Sequence, residues 1–313
     1  FLKGFYGDAG LHIRKYIDHM REALVGSRGS LNIYGYPWDG HQTYLTPALL
    51  HKYTSYFDDA EEAVSDKPDI LARVEKARLP IEFAILEISK RNVTEKLSLF
   101  KKSGTRWEVK PEMREKMELF VQNSNRFQFK RLHEMGFTPN EYRESMIYYF
   151  ENGITDHLAY GAIVNVKNPY SDKYPVGGAT ALTNGLCGTN DYHFNWLGFE
   201  GHELDAVVAL DRATLVKNIS VNFLQDAKSW VWVPHAVEFF GSPDGVDYKH
   251  LKSVKKKTGE HNYEKIIETF STTIENNQFQ FIRITTQSFI ECPQWHLGAG
   301  GKAWIFADEI IVE

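Results

Sequence analysis

The sequence predicts a multidomain chain of class α followed by all-β, with a helical domain over residues 1–150 and an antiparallel β-sandwich, or jelly roll, over residues 157–313. Two observations indicate this division. The first part carries apolar residues at helical spacing between capping signals, whereas after Gly153 short apolar runs alternate with turn formers. Many short strands without intervening helices are typical of a sandwich rather than of a parallel sheet.

Capping signals place the helices of the first part. Thr46-Pro47 has the pattern of an N-cap followed by proline at the first helical position, and Thr138 with Glu141 has that of a capping box. Between them a long helix is predicted by an apolar stripe of Leu71, Val74, Ile81, Ile85 and Ile88. Pro80 lies inside this stripe, so we expect the helix to kink or break there.

Strands are predicted in the second part by five apolar runs: "ELDAVVAL", "LVKNISVNFL", "AVEFFGS", "QFQFIRITTQ" and "AWIFADEIIV". Turn signals separate them, among them the Ser242-Pro243-Asp244-Gly245 stretch.

The composition argues against two classes of protein. The chain is 42% hydrophobic with a net charge of −5, which does not suit a nucleic-acid-binding protein with a basic face. No stretch approaches the roughly 20 apolar residues of a membrane span. Residues 151–313 are the acidic part, and they hold five of the seven tryptophans. An acidic, tryptophan-rich β region favours neutral ligands that stack on aromatic faces, although a single tryptophan more often belongs to the core.

The C-terminal stretch "ECPQWHLGAGGKAWIFADEIIVE" raises the question of a catalytic site. It is not a phosphate-binding loop, because Gly301-Lys302 is followed by alanine rather than by serine or threonine. Asp308 and Glu309 would have to flank one glycosidic bond to act as a catalytic pair. Since adjacent strand residues point to opposite faces, we expect one of the two to face the core or a metal and the other to face away. The stretch therefore favours the closing strand of a binding module.

Aromatic side chains beside polar ones are candidates for carbohydrate binding, because the flat C–H face of a pyranose stacks on an aromatic ring while polar neighbours orient the hydroxyls. Two loop-like groups fit: Asp191, His193 and Trp196 in "GTNDYHFNW", and Trp295 with His296. For both histidines the alternative is a structural hydrogen bond to backbone. For Trp295 we favour packing between two neighbouring loops, and we keep the binding role for Trp196 and His193.

Two further tryptophan motifs are ambiguous. Trp230 and Trp232 stand at i and i+2, so they would line one face of a strand. Trp38 with Asp39 in "YGYPWDGHQ" is either a second candidate site or an aromatic plug between helices and a neighbouring domain. Cys187 and Cys292 are compatible with two free thiols or with a disulfide.

Several motifs of the second part together resemble a known family. "GGATALTNGLCGTNDYHFNWLGFEG", "VNFLQDAKSWVWVPHAVEFFGSPDG", "FIRITTQ" and "PQWHLGAGGKAWIFADEIIV" resemble the discoidin, or coagulation factor 5/8 type C, domain, in the variant similar to carbohydrate-binding module family 32. The resemblance covers about residues 157–313. It implies an eight-stranded discoidin-like jelly roll with a ligand patch on the loops at one end.

The resemblance also implies a structural calcium ion. In such domains a loop Asp-Gly, a threonine downstream and a glutamate near the chain end supply the oxygens that calcium prefers. The matching positions here are Ala181, Asn184, Thr189 and Glu309. Asn184 stands where aspartate is usual, which removes one charge and weakens the expected site. The alternative is a glycine turn with asparagine in a turn conformation.

The helical part is similar to a region of a bacterial glycoside-hydrolase-like family called domain of unknown function 4838, through "FLKGFYGDAGLHIRKYIDHM" and "YFDDAEEAVSDKPDILARVEKARLPIEF". In that architecture a TIM-like barrel precedes the helices, and the protein is secreted, periplasmic or on the bacterial cell surface. The resemblance implies a non-catalytic region that braces the barrel and binds carbohydrate. The alternatives are a contribution to the hydrolase active-site wall through the Trp38 loop, or a protein or cell-surface adhesion module.

Overall fold

The computed structural model describes residues 1–27, 31–32, 35–91, 97–103, 106–133, 136–174 and 178–313. These residues form two compact units, Phe1–Met146 and Ile147–Glu313. The fold class is confirmed, because the first unit is helical and the second is built on antiparallel strands. The division falls inside a helix, slightly before residue 150.

The helices of the described ranges are α1 Leu2–Tyr6, α2 Gly10–Gly26, α3 Pro47–Glu62, α4 Pro68–Ser89, α5 Pro111–Arg126 and α6 Pro139–Asn152. A short hairpin that the sequence did not predict, β1 Phe100–Ser103 and β2 Arg106–Val109, lies between α4 and α5.

The predicted caps form. The Leu49 N–H donates to Thr46 Oγ1 at 3.3 Å at the start of α3. At the start of α6, the Glu141 N–H donates to Thr138 Oγ1 at 3.2 Å and the Thr138 N–H donates to Glu141 Oε2 at 2.7 Å. Of the two outcomes predicted at Pro80, the break is wrong, because α4 continues through it to Ser89, and the kink stays a prediction. Leu79 and Ile81 on either side are buried, and this packing offsets the hydrogen bond that proline cannot make.

The strands of the second unit are β3 Ile163–Val166, β4 Leu197–Glu200, β5 Asp205–Gln225, β6 Ala236–Ser242, β7 Lys249–Lys255, β8 Ile266–Gln287 and β9 Trp304–Val312. The runs "ELDAVVAL" and "LVKNISVNFL" belong to one long strand, β5. Hydrogen bonding gives the order β4-β9-β5-β8-β6-β7, with β3 also paired to β5, and these strand pairings are antiparallel.

The two long strands, β5 and β8, connect the layers of the sandwich. Residues 206–209 of β5 pair with β3, while residues 219–223 pair with β9. The register of β5 against β8 shifts between Ala209 and Thr214, where the strand passes from one layer to the other. Buried side chains from both halves, such as Val208 and Phe223, belong to one apolar core.

A β-bulge in β9 changes the expected alternation of Asp308 and Glu309. Phe223 pairs with Ala307 and Val221 with Ile310, so two residues of β9 lie opposite Asn222 alone. Both carboxylates are fully buried. The prediction that one of them faces away from the core is therefore wrong, because the extra residue removes the simple two-residue period at this point.

Candidate functional site

An exposed tryptophan, Trp230, is presented by a tight turn. Asp226 and Val231 exchange both backbone hydrogen bonds at 3.0 and 3.1 Å, and a short 3₁₀ turn, Ala227–Ser229, lies between them. Trp230 then adopts a left-handed backbone conformation with φ 65° and ψ 25°. A bulky residue pays a steric cost in this region, and such strain is often found where a side chain is positioned for function. The indole is 40% exposed.

Two glycines form the support under the Trp230 ring. A Cβ atom at Gly298 would lie 2.6 Å from the indole, and one at Gly301 would lie 2.7 Å from it. Only a residue without a side chain allows the backbone to approach the ring this closely. The loop before β9 therefore holds one part of the indole and leaves another part to solvent.

Polar and aromatic groups connect this turn to the stretch around Asp191. Lys265 Nζ lies 3.0 Å from Asp226 Oδ2, and the same ammonium group lies 5.9 Å from the centre of the Tyr192 ring. Burial raises the pKa of the Tyr192 phenol, and nearby Tyr174, Asp191 and Asp226 raise it further. We call Trp230, Asp226, Lys265, Tyr192 and His193 the Trp230 surface.

His193 is oriented by the predicted site residue Asp191. Asp191 Oδ1 accepts a hydrogen bond from the His193 N–H at 3.0 Å and lies 2.9 Å from His193 Nδ1. The imidazole packs against the Tyr192 ring, with 4.2 Å between ring centres. The His193 side chain is 37% exposed, whereas Asp191 is nearly buried. Of this predicted pair, His193 can reach a ligand, and Asp191 fixes its ring.

The predicted binding role of Trp196 is wrong. Its side chain is fully buried, and its Nε1–H donates to the Thr189 carbonyl at 2.8 Å. Gly188 lies so close that a Cβ there would be 2.2 Å from the indole. Trp196 packs with Val231 and Trp304 in a satellite core and presents no face to a sugar.

Trp295 and His296 pack with another part of the unit. Trp295 is half-buried, and its ring lies 5.4 Å from that of the buried Trp232 and 4.4 Å from that of His261. His296 is buried, and its Nδ1 accepts a hydrogen bond from the Gly298 N–H at 3.0 Å. These contacts agree with the packing role that we favoured for Trp295. They also agree with the alternative given for His296, a structural hydrogen bond to backbone.

The pair of Trp230 and Trp232 does not line one face of a strand. Trp230 lies in the turn and is exposed, whereas Trp232 is 2% exposed and packs with Cys292 and Ala303. The left-handed conformation of Trp230 itself and the preceding 3₁₀ turn break the two-residue alternation. The polar residues of "DAKSW", just before the first tryptophan, could have indicated a turn at this point. They do not specify the turn type.

Three of the four predicted calcium ligands accept a hydrogen bond from a backbone N–H of the loop. Asn184 Oδ1 accepts from the Leu186 N–H at 2.9 Å, and Thr189 Oγ1 accepts from the Asp191 N–H at 3.2 Å. Glu309 Oε1 accepts from the Gly185 N–H at 2.8 Å. Ala181, the fourth predicted position, is buried in the 3₁₀ turn Gly178–Leu182.

Glu309 retains one oxygen that fits a cation. Its Oε2 is buried and has no hydrogen-bond partner among the described residues. The ordinary coordination of calcium needs six to eight oxygens, so backbone carbonyls of the loop would have to supply most of them. Within the described residues, no group of three or more His, Cys, Asp and Glu side chains is arranged to hold a metal ion.

His157 is the neighbour of Glu309 that the sequence did not indicate. Its Nδ1 lies 3.3 and 3.4 Å from the N–H groups of Ala159 and Val312 and therefore accepts hydrogen bonds from them. Nε2 then carries the proton, which it donates to Glu309 Oε1 at 2.7 Å. Burial lowers the pKa of His157 to about 4. Burial also raises the pKa of Glu309 well above its ordinary value.

Asp308, the other carboxylate of the bulge, also binds the loop that contains Gly185 and Gly188. Its Oδ2 accepts from the Gly188 N–H at 2.8 Å and from Asn222 Nδ2 at 3.2 Å. Burial raises the pKa of Asp308 to about 8, although these hydrogen bonds oppose the shift. Because both carboxylates are buried against backbone, neither is placed to act on a substrate.

Trp38, in the helical unit, is half-buried. Its ring stacks on that of His41 with 3.8 Å between centres and an angle of 12°, and the Arg91 guanidinium lies 5.0 Å from it. Asp39 accepts a hydrogen bond from the Tyr36 N–H at 2.8 Å and closes the local turn. Both features stabilise this segment from within.

Both cysteines are buried free thiols. None of the helices in the described ranges is long and apolar enough to cross a bilayer.

Comparisons with known proteins find similarity among solved structures. No family model and no curated protein matches the chain. Chitosan-binding module 1 from a chitosanase/glucanase of Paenibacillus sp. IK-5 is 12% identical, over 51% of this chain and 99% of that one, with a TM-score of 0.34. CpGH89CBM32-5 of Clostridium perfringens, solved with GalNAc-β-1,3-galactose, is 13% identical over 50% and 99%, also at 0.34. A pectin-binding carbohydrate-binding module is 16% identical over 48% and 88%, at 0.30. Likeness at this level decides neither ligand nor activity.

Proposed function

We propose that the β unit binds carbohydrate at the Trp230 surface. The observation that carries this proposal is the partly exposed Trp230 indole, held in a left-handed backbone conformation over Gly298 and Gly301. A ring fixed in this way loses little freedom when a pyranose stacks on it, so more of the contact energy appears as affinity. The flat C–H face of a sugar is the complement of such a ring.

Polar groups of the Trp230 surface would supply the hydrogen bonds that orient a sugar. His193 is held by Asp191, and Lys265 is held by Asp226. The surface thus combines an aromatic face with both donors and acceptors. Its one ammonium group lies against a carboxylate, which favours an uncharged saccharide over a phosphate.

We also propose a non-catalytic role for this chain in a larger secreted or cell-surface glycoside hydrolase-like protein. The burial of Asp308 and Glu309 supports the absence of a glycosidase pair at β9. The helical unit would brace a preceding TIM-like barrel, a role that rests on the resemblance of its sequence.

The binding proposal is tested with a glycan array followed by isothermal titration calorimetry on the best hit. Trp230→Ala is expected to weaken binding at least tenfold, or about 1.4 kcal/mol. Leu215→Ala is the matched control, because Leu215 is an exposed apolar side chain of similar exposure on β5. If no glycan is retained, or if both variants bind as the parent does, the proposal fails, and capture of a cell-surface protein would instead support an adhesion module.

A bound calcium ion stays a prediction, supported by the unpartnered Glu309 Oε2 beside the Asn184–Thr189 loop. When bound, the ion would cross-link this loop to β9. We expect calcium to raise the melting temperature of the apo protein and Glu309→Gln to abolish that rise. Equal melting temperatures in calcium and in chelator, together with no metal by mass spectrometry, would contradict it.

A further inference from the structure

A groove lies on the outer face of the layer formed by β3, β5 and β8, and it encloses about 400 Å³. This volume is within the range of roughly 300–1,000 Å³ for small-molecule sites. Six of its lining residues define what we call the sheet-face groove: Asn165, Lys167, Val207, Ala209, Tyr248 and Phe281.

The strand register explains the apolar floor of the groove. Ala209 pairs with Ile163 on one side and with Phe281 on the other, and Val207 lies two residues away on the same face of β5. Val207, Ala209 and Phe281 are half-buried, while the intervening Val208 points into the core. An aromatic ring and two aliphatic side chains therefore face outward side by side.

One wall of the groove is preorganised by the turn after β6. Asp244 Oδ1 accepts from the N–H groups of Val246 and Asp247 at 2.9 and 3.1 Å, which fixes the turn. Gly245 has a positive φ of 78°, and a Cβ there would lie 3.2 Å from the Phe281 ring. The backbone of the turn thus lies against the edge of the aromatic floor and needs no rearrangement to receive a ligand.

The charges around the groove balance each other. Arg283 holds Asp205 through two hydrogen bonds of 2.8 and 2.6 Å, and Lys167 Nζ lies 3.6 Å from the same carboxylate. Asp244 adds a negative charge at the wall formed by the turn after β6. The two cations are therefore matched by two carboxylates, and Asn165 and Tyr248 add neutral hydrogen-bonding groups.

We propose that the sheet-face groove is a second carbohydrate-binding site, which takes one residue of an uncharged saccharide with its C–H face on Phe281 and its hydroxyls toward Asn165, Lys167 and Tyr248. The balanced charges disfavour both phosphates and polyuronates. The site lies on a sheet face rather than on the Trp230 turn, so its failure leaves the Trp230 surface untouched.

The experiment records amide chemical shifts of the ¹⁵N-labelled chain carrying Trp230→Ala. This substitution removes binding at the Trp230 surface, so any remaining shifts arise from the sheet-face groove. The probes are cellohexaose, xylohexaose and chitohexaose, at concentrations up to the order of 10 mM because single-residue sites are weak. We expect one of them to shift the amides of Val207, Ala209 and Phe281. Adding Ala209→Arg, which fills the groove, should reduce these shifts at least tenfold, and Leu215→Arg, the same charge elsewhere on β5, should not.

Absence of shifts at the three amides with all three neutral saccharides would overturn the proposal. So would shifts produced only by trigalacturonate or by an apolar hexapeptide, since these would assign the groove to an acidic polysaccharide or to a protein partner. Shifts that persist in Ala209→Arg would also overturn it. In the parent chain, the indole N–H resonance of Trp230 reports separately on the proposed function.

Discussion

Trp196→Ala tests whether this tryptophan is a core residue or a ligand-binding one. The side chain is fully buried, and truncation of a buried tryptophan to alanine costs about 3–5 kcal/mol. It also leaves the Thr189 carbonyl without the indole N–H, and an unsatisfied buried acceptor costs about 1–3 kcal/mol. We therefore expect a loss near the upper end of the first range, which is a large share of the roughly 5–15 kcal/mol of a typical native state.

The assay must separate the two units, because one unfolding transition cannot be assumed for both. Amide hydrogen exchange read by mass spectrometry on peptides from β5 and β9 reports on the β unit alone. The matched control is Trp230→Ala, which should reduce the same protection by less than Trp196→Ala does, because Trp230 is 40% exposed and Trp196 is fully buried. Similar losses in both variants, or a larger loss for Trp230→Ala, would refute the placement of Trp196 in the core.

Three further substitutions probe other parts of the β unit. Trp230→Gly should be more stable than Trp230→Ala by about 1–2 kcal/mol, because glycine adopts positive φ without strain; equal unfolding midpoints in urea would contradict this. Burial raises the pKa of Asp205, but the hydrogen bond and charge of Arg283 outweigh it and leave the pKa lowered. A carboxylate whose pKa is lowered by folding stabilises the protein at pH values above its ordinary pKa of 3.8. This stabilisation is lost as the pH falls through the pKa of the folded state. The stability gap between parent and Asp205→Asn should therefore shrink as the pH falls from about 6 to below 3.8, and a constant gap would count against the ion pair. Glu268→Ala removes the acceptor for the backbone N–H groups of Lys257 and Thr258, so hydrogen exchange at these two amides should accelerate, while Glu275→Ala, an exposed change on the same strand, should leave them protected.

Local chemistry was enough to predict where α3 and α6 begin and which class of fold follows the helices. Thr46 and Thr138 cap their helices because these signals act over three residues and need no distant partner. That α4 continues through Pro80 was not predictable from local chemistry, because it depends on the burial of the flanking Leu79 and Ile81 in the folded unit.

The candidate site was harder to predict because the exposure of a tryptophan depends on what packs against it. Trp196 and Trp230 both follow polar segments, yet Gly188 closes over the first and the turn leaves the second partly open. The burial of both Asp308 and Glu309 depends on a bulge opposite Asn222, and such a register shift leaves no local mark in the sequence.

The position of β9 has a consequence for the order in which the β unit can form. The strand lies between β4 and β5, although it is the last strand along the chain. Its pairing with β4 joins segments about a hundred residues apart, and the carboxylates of its bulge fasten the Gly185–Gly188 loop at a similar separation. Contacts of such high sequence separation slow folding. During synthesis β5, β8, β6 and β7 can pair with one another, whereas β4 and the edge of β5 that receives β9 stay without this partner until Trp304–Val312 has left the ribosome.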